Sequence, residues 1–347
     1  MMNNPFNVNF GKEPYSIISR EKELENVFNS FSMEKPNSNV YILTGIRGSG
    51  KTVAMTNISK YYKNKENWIC IELNPESDML EQLASKLYDE GKMKKLFLIK
   101  EFNVSFNGIG FSIKGNEQIT NISTLIKREF QYLKKKGIRV LINIDEVISN
   151  DYMKVFVHEF QLLLRDDFDP CLIMTGLYQN ISLLENQKSI TFLYRAPKIY
   201  LDSLNARAVA NSYKNIFNIE EKKAIELAKF TKGYAYAYQL LGNILFENNK
   251  KDIDEFVIQK FDEEIQERSY NIIFSELTKK EKEILLTSVM YKSNEEIINK
   301  LNISKSMLSN YKKKLVLKGV IEKDSNYIVF KLPRFKEFLE FVIDYES

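Results

Sequence analysis

Short apolar runs alternate with amphipathic stretches over the first two hundred residues of the chain. The runs are rich in Val, Ile and Leu, which is typical of strands buried on both faces of a sheet. The stretches between them place apolar residues three and four positions apart, which indicates helices. The alternation therefore predicts a parallel sheet with helices on both faces. The predicted strands are 39–45, 68–74, 139–146, 170–176 and 198–204.

Two serines mark the starts of helices in this region, since Ser19 and Ser77 each precede an amphipathic stretch and are predicted to cap it. The segment 102–115 alternates apolar and polar residues around Asn107-Gly108, which predicts an inserted β-hairpin. The predicted helices are 19–32, 52–64, 77–91, 122–137 and 151–166.

The strand–helix alternation stops near residue 205, and the pattern is helical from there to about residue 270. A compact basic segment follows. It contains three helices, with caps at Thr278 and Ser304, and then a two-strand wing that turns at Ser325-Asn326. This order predicts a winged helix-turn-helix. The predicted domains are an α/β core with its lead-in over 1–205, an all-helical lid over 206–272 and a winged helix-turn-helix over 273–347.

The stretch TGIRGSGKT, residues 44–52, lies between the first predicted strand and a helix. It fills every fixed position of the phosphate-loop motif G-x-x-x-x-G-K-[ST], in the context that this motif requires. Backbone N–H groups of such a loop cradle phosphates, while Lys51 reaches the β and γ phosphates and Thr52 ligates Mg²⁺. A glycine-rich turn without chemistry is the alternative. The predicted cofactors are ATP and Mg²⁺, and the predicted nucleotide-binding residues here are Gly45, Ile46, Arg47, Gly48, Ser49, Gly50, Lys51 and Thr52.

Asp145 and Glu146 end the strongest predicted strand, VLINIDE. A carboxylate there is costly unless it serves a charge, so Asp145 is predicted to hold Mg²⁺ directly or through water. Glu146 is predicted to accept a proton from the water that attacks the γ-phosphate. The alternative is an acidic pair that caps the next helix. With a phosphate loop in the same chain, the pattern favours a slow ATPase.

Other classes of protein fit the sequence less well. The segment NKKD, residues 249–252, resembles a guanine-reading motif, but it follows a helix in the all-helical region. A small-molecule kinase would be shorter and would lack the two further domains. Cys70 and Cys171 lie in apolar strands, and His158 is the single histidine, which argues against zinc clusters and serine-type triads.

Composition adds little about partners, because the net charge is only +4. The N-terminus has no basic segment followed by an apolar one, and no apolar run approaches the roughly 18 residues that span a bilayer. We therefore expect a cytoplasmic protein without a membrane partner.

The motifs GIRGSGKT and INIDE, the helical lid and the terminal basic module together resemble an AAA+ or STAND-type ATPase. The nearest group is that of the archaeal-type ATPases and origin-recognition initiators. The lead-in NPFNVNFGKEPYSIISREKELENVF is similar to the lead-in of that group, in which an R-E box precedes the first helix. The resemblance covers most of residues 4–245.

This resemblance implies roles for further residues. It implies that Ile17, Ile18 and Arg20 contact adenine, although a helix cap with an apolar staple is the alternative. It implies that Thr175 senses the γ-phosphate from a strand end. It also implies that Arg195 serves as an arginine finger for a neighbouring copy, with a surface ion pair as the alternative. One departure is clear: the lid segment TKGYAYAYQLLG lacks the arginine that such lids carry.

The third helix of the terminal module is basic, and residues 301–319 contain five lysines and no acid. Such a helix would enter the major groove of double-stranded DNA, with lysines on phosphates and short polar groups on phosphates or bases. A solvated helix, or a module packed on its own ATPase domain, is the alternative. The predicted DNA contacts are Lys305, Ser306, Ser309, Asn310, Lys312, Lys313 and Lys314.

Together these features predict an ATP-hydrolysing switch whose nucleotide state controls DNA binding or assembly with copies of itself on ATP binding. The alternative is a STAND-like signalling or defence protein whose winged helix contacts protein. The DNA site, the oligomeric state and the pathway are not determined by the sequence.

Overall fold

The computed structural model describes residues 3–8, 14–90, 102–106, 109–114, 122–324 and 326–346. The chain forms two compact units. The sheet unit consists of Lys22–Thr44 and Lys51–Ile199. The lid unit consists of Met1–Glu21, Gly45–Gly50 and Tyr200–Ser347. Each unit has a hydrophobic core of its own.

The sheet unit is built on a five-stranded sheet in the order β2-β5-β6-β1-β7. The pairs β2–β5, β5–β6 and β1–β6 are parallel, and residues 141–144 of β5 pair with β2 on one side and with β6 on the other. The strands β1, β5 and β6 are largely buried because their runs are apolar on both faces, as the sequence predicts, whereas the edge strand β7 is partly exposed. The strands of the sheet are β1 Val40–Thr44, β2 Trp68–Leu73, β5 Arg139–Ile144, β6 Cys171–Gly176 and β7 Lys198–Tyr200.

Helices connect these strands, and the predicted α/β core is thereby confirmed. One predicted cap is wrong: Asp78, and not Ser77, caps the third helix, because the Asp78 carboxylate accepts hydrogen bonds from the N–H groups of Leu80 and Glu81. The helices are α1 Glu21–Ser32, α2 Lys51–Lys63, α3 Met79–Asp89, α4 Ile122–Lys135, α5 Asp151–Arg165 and α6 Tyr178–Glu185, followed by a 3₁₀ helix over Lys188–Arg195.

The predicted hairpin is present as two antiparallel strands, β3 Phe102–Phe106 and β4 Ile109–Lys114. Its predicted turn at Asn107-Gly108 lies outside the described residues.

The lid unit is helical after β7, as predicted. The sequence pattern predicts one continuous helix over 253–274, but the structure divides it by a π-helical turn over Gln266–Tyr270. The helices of this part are α7 Ala206–Phe217, α8 Glu221–Phe230, α9 Ala235–Glu247, α10 Glu255–Ile265 and α11 Asn271–Ser275.

The C-terminal part of the lid unit contains α12 Lys279–Met290, α13 Asn294–Leu301, α14 Lys305–Leu317 and α15 Phe335–Glu346. The predicted capping box at Thr278 and the predicted cap at Ser304 are both confirmed. The last helix was not predicted, although its apolar residues recur at helical spacing.

Where the sequence predicts a two-strand wing, the described residues form no continuous pair of strands. Between α14 and α15 the chain makes isolated antiparallel bridges, one of which joins Ile321 to Phe330. The Glu322 N–H donates to the Val329 carbonyl over 2.8 Å. The Asp324 carboxylate accepts from the N–H groups of Asn326 and Tyr327, which closes the turn. Ser325, predicted to lie in that turn, is outside the described residues.

The apolar core of the lid unit includes residues of the lead-in, of the lid helices and of the C-terminal helices, from Phe6 to Leu339. The predicted domain boundaries at 205/206 and 272/273 stay a prediction. Among the described residues, no helix combines the length and apolar character needed to cross a membrane.

Candidate functional site

The phosphate-loop motif is divided between the two compact units. Residues Gly45–Gly50 belong to the lid unit, while Lys51 and Thr52 begin α2 in the sheet unit. Gly48 and Gly50 have φ angles of 75° and 90°, in the left-handed region that only glycine enters readily. The motif glycines are therefore required by the backbone of the loop, and backbones of this kind form anion-binding concavities.

Lys51 is buried at the first position of α2, where it is 9% exposed. The N-terminus of a helix carries a partial positive charge, and the Lys51 ammonium adds a full one. This combination is suited to a polyphosphate. The role of Lys51 as a phosphate ligand stays a prediction.

In the sheet unit, Thr52 and Asp145 face each other. The Thr52 hydroxyl donates a hydrogen bond to Asp145 Oδ2 over 2.8 Å. Both are hard oxygen ligands, and Mg²⁺ is commonly held by one or two carboxylates together with substrate phosphates. Within the described part of the chain, no group of three or more His, Cys, Asp or Glu side chains is arranged to hold a metal by itself. The pair therefore fits an Mg²⁺ ion that arrives with a nucleotide.

Thr175 lies at the end of β6, the strand between β1 and β5, and is fully buried. Its hydroxyl donates to Asp145 Oδ1 and accepts from the Glu146 N–H over 3.1 Å. The Thr175 carbonyl accepts from the Val147 N–H over 2.8 Å. Thr175 therefore contacts both the Asp145 carboxylate and the backbone of Glu146. Its role toward a γ-phosphate stays a prediction.

Glu146 is exposed, and its φ angle is 52°. Left-handed backbone is unfavourable for a side chain with Cβ, and such residues persist where surrounding contacts hold them. Here the Glu146 N–H donates to the Thr175 hydroxyl over 3.1 Å and to Asp145 Oδ1 over 3.2 Å. The two adjacent carboxylates therefore differ in environment. Asp145 is hydrogen-bonded to Thr52 and Thr175, while Glu146 is exposed to solvent.

In the lid unit, Arg20 contacts the phosphate loop. Its guanidinium donates to the Ser49 carbonyl over 3.1 Å and to the Asp202 carbonyl over 2.8 Å. Ile17 and Ile18 are half-buried in the same lead-in. The predicted adenine contacts of these three residues stay a prediction, and the bond from Arg20 to the loop is an addition that the sequence did not indicate.

Two tyrosines of the lid also reach the loop. The Tyr234 hydroxyl donates to the Arg47 carbonyl over 2.8 Å, and the Tyr236 N–H donates to the Gly48 carbonyl over 3.1 Å. These residues belong to the segment that lacks the expected lid arginine. The Tyr–Ala alternation of this segment is typical of helix packing and does not by itself indicate a contact with the loop. The available signal was Gly233 followed by Tyr234, at the place where the resemblance implies an arginine.

The C-terminal part of the lid unit reaches the loop at two more points. Arg47 forms an ion pair with Glu276 over 2.9 Å. A side chain at Gly319 would come within 3.1 Å of the Ile46 Cβ, so these two backbones are close. No sequence signal links Arg47 to Glu276, because the two residues are 229 positions apart.

The remaining predicted residues divide by exposure. Arg195 is exposed at the end of the 3₁₀ helix. Lys312 is a correction to the predicted DNA contacts, because it is only 7% exposed and its ammonium donates to Asn294 Oδ1 and to the Tyr327 carbonyl. Burial lowers the pKa of Lys312. The exposed members of the predicted set are Lys305, Ser306, Ser309, Asn310, Lys313 and Lys314.

Solved structures resemble this fold, whereas no protein-family model and no curated protein sequence matches the chain. The Walker-type ATPase PABY2304 of Pyrococcus abyssi aligns with a TM-score of 0.63 and 16% identity, over 93% of this chain and 96% of that chain. The chain has the fold of this archaeal ATPase. The ORC2 protein of Aeropyrum pernix, in its ADPNP-ADP complexes, aligns with a TM-score of 0.54 and 12% identity, over 98% of this chain and 97% of that one. The ADP form of the same protein gives a TM-score of 0.51. The predicted resemblance is confirmed, and at these identities it concerns the fold.

Proposed function

We propose that this chain binds ATP with Mg²⁺, hydrolyses it slowly, and uses the bound nucleotide to control DNA binding through a C-terminal winged helix. The observation that carries the ATPase proposal is the hydrogen-bonded array of Thr52, Asp145, Thr175 and Glu146. It joins the residue after the motif lysine to the acidic pair, in a fold shared with a Walker-type ATPase.

Each residue of the array has a distinct task in this proposal. Thr52 and Asp145 hold Mg²⁺, which neutralises charge on the phosphates when it is bound. Glu146 orients the attacking water and takes its proton. Lys51 and the loop amides hold the β and γ phosphates. Thr175 keeps the acidic pair in place, so that Asp145 and Glu146 serve the metal and the water respectively.

The DNA part of the proposal rests on the exposed face of α14. Four residues of Lys305–Asn310, namely Lys305, Ser306, Ser309 and Asn310, are exposed on this helix together with Lys313 and Lys314, and they offer ammonium, hydroxyl and amide groups. Such groups bind phosphates and base edges. Tyr327 and Val329 of the short wing are also exposed.

A route from nucleotide to DNA is available within the lid unit. Arg47 of the phosphate loop pairs with Glu276, which lies just before α12. A γ-phosphate adds negative charge near the loop, and a local change of charge can shift a bistable element.

We further propose that exposed Arg195 is supplied to a neighbouring copy on ATP binding, which sedimentation with ATP and with ADP would test.

The test is hydrolysis and DNA binding by the wild-type chain and by Glu146→Gln, with Glu34→Gln as a control for loss of an exposed carboxylate. We expect Glu146→Gln to bind ATP normally and to hydrolyse it at least about 100-fold more slowly. Fluorescence anisotropy of a mixed-sequence duplex should show affinity that falls steeply with salt and differs between ATP and ADP.

Separate results would reject separate parts of the proposal. Hydrolysis by Glu146→Gln at the wild-type rate would reject the assigned base. Failure of the wild-type chain to bind the duplex at low salt with either nucleotide would reject the DNA role, and the alternative of a signalling switch with a protein partner would take its place.

A further inference from the structure

Three successive carbonyls of the phosphate loop each accept a hydrogen bond from the lid unit. The Arg47 carbonyl accepts from the Tyr234 hydroxyl, the Gly48 carbonyl from the Tyr236 N–H, and the Ser49 carbonyl from the Arg20 guanidinium. We call these three donors the carbonyl brace. Its members come from the lead-in and from the start of the lid helix α9.

The brace determines where the loop amides point. A trans peptide is planar, so its C=O and the following N–H point in opposite directions. Holding the carbonyls of Arg47 and Ser49 toward the brace turns the amides of Gly48 and Gly50 away from it. Those two glycines have the left-handed backbone angles of an anion nest. The amides that would meet a phosphate are thus oriented by donors on the opposite side of the peptides.

Tyr234 is built to act as a permanent donor. It is 5% exposed, and burial raises the pKa of its hydroxyl, which therefore keeps its proton. The hydroxyl has one hydrogen, and that hydrogen goes to the Arg47 carbonyl. Ser269 of the π-helical turn lies 2.8 Å from the same oxygen and supplies the second hydrogen bond as donor. The position of the tyrosine is therefore determined on both sides.

We propose that Tyr234 is the positioning residue that replaces the missing lid arginine: through the carbonyl brace it orients the phosphate-loop amides for nucleotide and couples the lid to nucleotide binding. This inference rests on the proposed nucleotide binding. Unlike the arginine that the resemblance implies, Tyr234 contacts the backbone of the loop, so it should favour ATP and ADP alike.

The test compares two tyrosine-to-phenylalanine changes in the full-length chain. Tyr234→Phe removes the brace hydroxyl and keeps the ring. Tyr213→Phe is the matched control, since Tyr213 is also buried in the lid unit and its hydroxyl also donates to a backbone carbonyl, that of Tyr238, over 2.8 Å. Binding of fluorescent ATP and ADP, hydrolysis at saturating ATP and the melting temperature are measured for both variants.

We expect Tyr234→Phe to weaken ATP and ADP binding equally, by about three- to tenfold, which is the range for one net hydrogen bond. Its kcat at saturating ATP should stay within about twofold of the wild type. Tyr213→Phe should lower the melting temperature comparably and leave nucleotide affinity unchanged. Normal affinity in Tyr234→Phe, or an equal loss in Tyr213→Phe, would overturn the inference. A wild-type chain that binds neither nucleotide would reject the proposed function itself.

A second measurement needs no variant and covers the case in which Tyr234→Phe does not fold. Coupling is reciprocal, so bound ADP must stabilise the brace if the brace favours ADP. Hydrogen exchange of the Tyr236 amide, the backbone donor to Gly48, should slow when wild-type protein is saturated with ADP. An unchanged exchange rate at saturation would contradict the inference.

Discussion

The hydrogen-bonded array of the sheet unit and the carbonyl brace of the lid unit each contact part of the phosphate-loop motif. They do so with different kinds of residue. The array consists of Thr52 from the phosphate-loop motif, the acidic pair Asp145 and Glu146, and Thr175, which contacts both acidic residues. The brace consists of Arg20, Tyr234 and a backbone N–H, none of which belongs to the phosphate-loop motif.

The difference separates reactive groups from supporting groups. Metal ligation and proton transfer require particular functional groups, so the residues of the array are recognisable by type. Support for a backbone carbonyl requires only some donor in the right place, and a hydroxyl, a guanidinium or an amide serves equally. Residues of the second kind are therefore visible only in the structure.

The largest effect should come from Lys51→Ala, which removes the motif lysine next to Thr52 of the array. Loss of a buried cation that meets phosphate should weaken ATP binding by at least about 100-fold. Lys63→Ala, at the exposed end of the same helix, serves as the control. Binding of fluorescent ATP measures both variants, and comparable affinity in the two would show that Lys51 is not a phosphate ligand.

Thr175→Val tests whether a buried threonine supports the acidic pair. We expect kcat to fall by about 10- to 100-fold while ATP binding changes little, because the Glu146 N–H and Asp145 lose a partner. The free energy of unfolding should also fall by about 1–3 kcal/mol, because two hydrogen bonds of the buried Thr175 hydroxyl are lost. Thr175→Ser retains the hydroxyl and should restore kcat. A valine variant with normal turnover would remove Thr175 from the array.

Lys312 and Lys313 are neighbours on α14, but only Lys313 is exposed, so the two variants distinguish a ligand contact from a supporting one. Lys313→Met should remove one phosphate contact and reduce the slope of log affinity against log salt by about 0.9. Lys312→Met should leave that slope unchanged and lower the free energy of unfolding by about 1–2 kcal/mol, because its bonds to Asn294 and Tyr327 are lost. Anisotropy and denaturant unfolding distinguish the two, and a reduced salt slope in Lys312→Met would restore it as a DNA contact.

The smallest effect should come from the ion pair of Arg47 and Glu276. Their side chains are 37% and 26% exposed, so a double-mutant cycle with Arg47→Gln and Glu276→Gln should give a coupling of about 0.2–1 kcal/mol. The difference in DNA affinity between ATP and ADP should shrink in each single variant. Lys280 and Glu283 form a pair of similar exposure in α12 and serve as the control. An unchanged nucleotide dependence would show that this pair does not carry the signal.

Much of the fold was predictable because its signals are local. The buried strands appear as apolar runs, and the capping box at Thr278 follows from residues three positions apart. The prediction was wrong where two neighbouring residues could both cap a helix, as with Asp78 and Ser77. The helix Phe335–Glu346 was not predicted, although its apolar residues recur at helical spacing. The π-helical turn over Gln266–Tyr270 has no period of apolar residues that distinguishes it from an α-helix.

The sequence by itself determined the α/β core, the helical lid and the chemical groups assigned to phosphate, metal and water, because each is written in neighbouring residues or in a fixed spacing. Tertiary structure decided which groups support them. It placed Tyr234 against Arg47, 187 positions away, and turned Lys312 inward to the wing. Such contacts follow from how helices pack, and residue type alone cannot indicate whether a tyrosine or lysine meets a ligand, a backbone carbonyl or water.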